Sequence, residues 1–90
     1  MTQAKIELYQ RVALTRKIPE HNLCPGDVAI VVEYLPGTPA SGGEDGYALE
    51  VFNAVGETIA VVMVPVSAVK PLTENEILQV RPLSMPEPPC

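Results

Sequence analysis

Apolar positions along the chain fall in short, β-branched blocks separated by Pro, Gly and acidic residues. That is the pattern of strands joined by turns. Val12–Leu14 follows a polar start and predicts a short first strand, with Val12 and Leu14 on one face. Arg16–Pro25 reads as a loop containing "IPEHNLCP". Pro25-Gly26-Asp27 is turn chemistry, because Pro fixes φ and Gly accepts a positive φ. Val28–Tyr34 is the clearest strand. Val28, Ile30, Val32 and Tyr34 lie on one face, and Ala29, Val31 and Glu33 on the other. Both faces are largely apolar, which predicts cover on both sides for part of the strand.

Leu35–Gly46, "LPGTPASGGEDG", predicts a flexible surface loop. Tyr47–Asn53 resumes as a strand with Tyr47, Leu49 and Val51 facing in and Glu50 out. Ala54–Glu57 holds Gly56 and predicts a tight hairpin turn into a fourth strand at Thr58–Val64. Pro65–Ala68 predicts a 3₁₀ turn before a short closing strand at Val69–Leu72. Thr73 with Glu76 three positions on fits a capping box, leaving room for one helical turn before Arg81-Pro82. The tail "PLSMPEPPC" predicts an extended, mobile end.

These elements predict an all-β fold: a small five-stranded SH3-like barrel with a 3₁₀ turn before the last strand. Closing a sheet on itself limits exposed edges in so small a domain. The expected organisation is one barrel domain over residues 1–82, including the helical turn, and a Pro-rich flexible tail over 83–90.

Composition narrows the function. The 90 residues suffice for one core, and with no Trp and one Phe that core must be aliphatic. The net charge is -5, and the cations Lys5, Arg11, Arg16, Lys17, Lys70 and Arg81 are dispersed. Phosphate backbones and anionic membranes need clustered cations, so neither nucleic acid nor a membrane surface is an expected partner. A partner with a basic surface fits the charge better. No apolar stretch has signal-peptide or membrane-span length, and two cysteines make no disulfide framework. The expectation is a soluble cytoplasmic protein with reduced thiols.

The ordered set "LYQRVAL" (Leu8–Leu14), "IPEHNL" (Ile18–Leu23), "PGDVAIVVE" (Pro25–Glu33), "LEVFNAVGETIAVV" (Leu49–Val62), "PVSAVKPL" (Pro65–Leu72) and "TENEILQVR" (Thr73–Arg81) resembles domain-of-unknown-function family 4926. The resemblance implies an SH3-like barrel and a bacterial source, and no reaction. It also suggests a small companion to a larger protein, of the antitoxin or immunity type. Ala29 and Ile30 stand where members of that family tend to have Gly and a polar residue, and the loop after the second strand is longer.

Candidate chemistry is sparse. His21 and Cys24 have an H-x-x-C spacing, but a structural zinc site needs four ligands and Cys90 is the one other cysteine. A Cys24 nucleophile would need a base and an orienting group, and the sequence supplies no third member. "GTPASGG" lacks the Lys-Ser/Thr ending of a phosphate loop. "PGDVAIVV" resembles the first turn of KOW-type modules, yet the acidic loops argue against RNA. Neither a catalytic set nor a cofactor or metal site is expected. A contact surface is predicted instead at Glu33 and Glu50 on strands, Glu44 and Asp45 on the long loop, and Tyr34 and Tyr47 at the barrel mouth. The favoured function is a non-enzymatic protein-binding module. The alternative is an accessory barrel subunit of a larger enzyme complex.

Overall fold

The computed structural model describes residues 6–83, without the side chain of Ser41. Five antiparallel strands form one sheet: β1 (Arg11–Leu14), β2 (Val28–Leu35), β3 (Gly46–Phe52), β4 (Thr58–Pro65) and β5 (Val69–Pro71). Their order is β4-β3-β2-β1-β5, so the last strand lies beside the first. A 3₁₀ turn at Val66–Ala68 delivers the chain into β5. This is the small barrel-like, all-β arrangement that the spacing of apolar blocks predicts.

The core follows from strand periodicity. Val12 and Leu14 from β1, Ala29 and Val31 from β2, Tyr47, Leu49 and Val51 from β3, and Val62 and Val64 from β4 all point inward and are buried. Leu23, Ala68 and Val69 complete the cluster. Register places Ala29 opposite Val51, Val51 opposite Ala60, and Val31 opposite Leu49 opposite Val62, so inward residues meet in rows across the sheet. Val28, Ile30 and Val32 on the other face of β2 are half-buried, in line with its two-sided apolar pattern. A register shift between Val31 and Glu33 bulges β2 around Val32 and lets the strand bend.

Asp27 does more than shape a turn. Its Oδ2 accepts the Cys24 N–H at 2.7 Å, and its carboxylate takes both Nε (2.9 Å) and Nη2 (2.5 Å) of Arg81. Arg81 Nη2 also reaches the Asn22 carbonyl at 3.0 Å. The segment after β5 is thereby folded back onto the loop that launches β2. The guanidinium is held charged, its pKa raised by these hydrogen bonds to Asp27.

Three expectations change. Cys24, expected as a reduced thiol, is disulfide-bonded and 3% exposed. Spacing within a loop does not reveal a sulfur's redox state. Thr73 and Glu76 make one of the two capping-box bonds, with Thr73 N–H donating to Glu76 Oε1 at 2.8 Å, while the Glu76 N–H goes to the Thr73 backbone carbonyl at 3.2 Å. They produce a single turn and no helix follows, because Ile77, Leu78 and Val80 have no core to pack on and stay exposed. The Leu35–Gly46 loop, expected to be flexible, contains a 3₁₀ turn at Pro39–Ser41 and is tied internally. Of the Pro-rich tail expected at 83–90, only Leu83 is among the described residues. No helix among the described residues is long and apolar enough to cross a membrane.

Leu49 has no exposed surface, and Met63 is 75% exposed on a neighbouring strand. Leu49→Ala is therefore expected to lower unfolding free energy by about 2–5 kcal/mol. Met63→Ala is expected to change it by no more than about 0.5 kcal/mol. Urea unfolding of both variants checks this; equal effects would mean the inward face is misassigned.

Candidate functional site

Of the six residues predicted to form a contact surface, the four on strands fall into two pairs on opposite faces of the sheet, and Glu44 and Asp45 lie on the loop before β3. Tyr34 pairs across the ladder with Tyr47, and both belong to the inward-facing row that continues to Val64. Tyr47 is 8% exposed, so it supports the surface from beneath rather than forming it. Its ring meets the Tyr34 ring edge-on, with centroids 6.0 Å apart. Tyr34 sits at the rim and is half exposed. Glu33 pairs with Ala48 and Glu50 with Val61, which puts both acids on the outward face.

Asp45 organises the long loop. One carboxylate oxygen accepts the Tyr34 hydroxyl, and the other accepts the Gly37 N–H at 2.7 Å. Its carbonyl takes the Val66 N–H at 2.9 Å, tying the loop to the turn before β5. Gly37 is required by a close approach, since a Cβ there would lie 2.4 Å from the Gly43 carbonyl oxygen. The Tyr34 hydroxyl and the Gly37 amide hold the Asp45 carboxyl below its ordinary pKa of 3.8. The same hydrogen bond pushes the Tyr34 phenol above its ordinary 10.0. Glu44 beside it accepts the Ser67 N–H at 3.1 Å. These two acids are thus built into the structure of a loop that the sequence predicts to be flexible.

The outward face carries residues that the sequence did not single out. Ile59, Val61 and Met63 alternate along β4, and all are exposed, at 41%, 55% and 75%. Ala48 and Glu50 of β3 flank Met63 and Val61 directly. A shallow groove of about 350 Å³ runs between the long loop and the end of β4, with Met63 on its wall and Glu44 at its rim. The signal was present in "TIAVVMVP", whose apolar residues occupy both parities. Reading it required knowing that β4 lies at the end of the sheet.

Charge on this half of the molecule has one sign. Between Lys17 and Lys70 the sequence contains no Lys or Arg, so the charges on β2 and β3 are acids alone and β4 carries none. The ion pairs among the described residues, Arg81–Asp27 and Lys70–Glu76, lie elsewhere. Glu33, Glu50 and Glu57 take part in neither. Glu50 accepts the Thr58 hydroxyl at 2.5 Å, and Glu57 accepts the Asn53 side-chain amide at 2.8 Å.

The residues weighed for chemistry are not assembled. His21 is exposed on its loop, and the Cys24 sulfur is buried and already bonded. Among the described residues, no group of three or more His, Cys, Asp or Glu side chains is placed to hold a metal.

The chain belongs to the family described as Domain of unknown function (DUF4926), whose model matches residues 8–71. No curated protein and no solved structure matches it.

The Asp45 latch carries a pH signature. Its folded-state pKa is depressed, so its contribution to loop closure is complete above 3.8 and is lost as pH falls through the lowered value. Tyr34 gives the opposite limb: its contribution holds below 10.0 and is lost as pH rises through the raised value. In an NMR titration the Gly37 amide is expected to shift with an acid midpoint below 3.8 and to lose that midpoint in Asp45→Asn. A Gly37 midpoint at or above the ordinary carboxyl value would contradict the latch.

Proposed function

We propose that this chain is a non-enzymatic protein-binding module that receives a partner with a basic surface. The observation that carries the reading is the absence of any Lys or Arg between Lys17 and Lys70, which leaves the β2–β4 half purely acidic. Glu33, Glu50 and Glu57 sit there outside both described ion pairs, around exposed Val61 and Met63. Acidic groups around an apolar strip steer a cationic partner in and then give it surface to bury. The same charge repels polyanions, so nucleic acid and anionic membrane are disfavoured as partners.

Two roles use such a module. An antitoxin or immunity-type protein covers a basic functional surface on its target, and an accessory subunit sits permanently in a larger enzyme. The first is adopted because a basic surface of that kind is matched by a face of one charge sign. A bacterial setting belongs to the same proposal.

The test is co-expression with the products of neighbouring genes, followed by binding kinetics. A complex of fixed stoichiometry is expected, with an association rate that falls by about tenfold or more on raising salt from about 0.05 to about 0.5 M. Glu33→Gln with Glu50→Gln should flatten that salt dependence. A complex whose association ignores both salt and these substitutions would sink the proposal.

A further inference from the structure

The two ends of the sheet are treated very differently. β5 is one edge, but it is three residues long and consists of Val69, Lys70 and Pro71. Shortness, a lysine and a proline are the ordinary devices that stop an edge from recruiting another strand. β4 is the other edge. It runs eight residues, Thr58–Pro65, with no charged residue and with proline only at its end. Among the described residues its backbone pairs with β3 alone.

An uncharged apolar edge of this length presents unpaired N–H and C=O groups and is a template for another strand. From this geometry we infer that β4 is a docking edge, and that its occupant is an extended segment of another protein that carries apolar residues flanked by Lys or Arg on one face, at every second position. The inference rests on the binding-module reading and says how that module binds. Main-chain pairing with β4 supplies affinity, and the alternate side chains supply selection.

Charge chooses the occupant. A strand added beside β4 would lay its outward side chains next to Ile59, Val61 and Met63. Glu57 immediately precedes the strand, and Glu50 pairs with Val61 on the same face. Glu44 stands at the rim of the groove beside Met63. Apolar side chains on the facing side of the incoming segment cover the strip, while cations flanking them on that same side reach these carboxylates. A second copy of this chain would bring an equally acidic, cation-free half against the first, and like charges disfavour that arrangement.

The probe is the ten-residue synthetic peptide KTVTVTVTKT, whose one face carries three Val between two Lys, titrated into the full-length chain and followed by fluorescence anisotropy and amide NMR. Binding is expected, with the largest shifts in β4. Affinity should fall by about tenfold or more with Val61→Lys plus Met63→Lys. Replacing Lys by Glu in the peptide should weaken it at least as much, and N-methylation of alternate peptide amides should abolish it. No binding, binding that leaves β4 unshifted, or binding that survives N-methylation overturns the inference. So does light scattering that finds a dimer dissolved by Val61→Lys, since the edge would then be occupied by a second copy. A salt-dependent partner complex that persists with Val61→Lys plus Met63→Lys would leave the binding-module reading standing while removing strand addition.

Discussion

Among the described residues, β4 has a neighbour on one side only. Every other feature of the fold either creates that condition or decorates it. The order β4-β3-β2-β1-β5 brings the last strand beside the first, which leaves the hairpin β3–β4 to end the sheet. Val62 and Val64 anchor β4 to the core from its inner face. The edge therefore stays a strand, and among the described residues no strand pairs with its other side. A stable strand with an unused pairing side is what distinguishes a docking edge from a frayed one.

The carboxylates divide into those that hold the scaffold and those that colour its surface. Asp27 clamps Arg81 and the Cys24 amide, fixing the corner that launches β2. Asp45 closes the long loop through Tyr34 and Gly37. Both are bonded from several sides and would be poor contacts for a partner. Glu33, Glu50 and Glu57 are bonded lightly or not at all, and lie on or beside the outward face. An acidic net charge read as one number hides this division.

Much of the fold was legible because it rests on local physics. Inward-facing Tyr47, Leu49 and Val51 follow from alternation, and the Pro25-Gly26-Asp27 and Gly56 turns follow from backbone freedom, with Gly26 and Gly56 both at positive φ. The candidate site was legible only in fragments. Glu33 and Tyr34 are adjacent in sequence, so a strand must send them to opposite faces, and a six-residue patch that includes both could not hold together. The Asp27–Arg81 clamp joins residues far apart in the chain, and no local pattern announces it. The exposed strip on β4 was hidden for a related reason: "IAVVMV" reads as core until topology shows which strand has no outer neighbour.

Hydrogen exchange of the β4 amides in the free, full-length chain tests the central claim most directly. With one partner strand, alternate amides along Ala60–Val64, past the register shift at Ile59, are bonded to β3 and the rest face outward. The account predicts slow and fast exchange at alternating positions. Uniform slow exchange along the strand would show its free side already covered, and would contradict the claim that this edge is open to a partner.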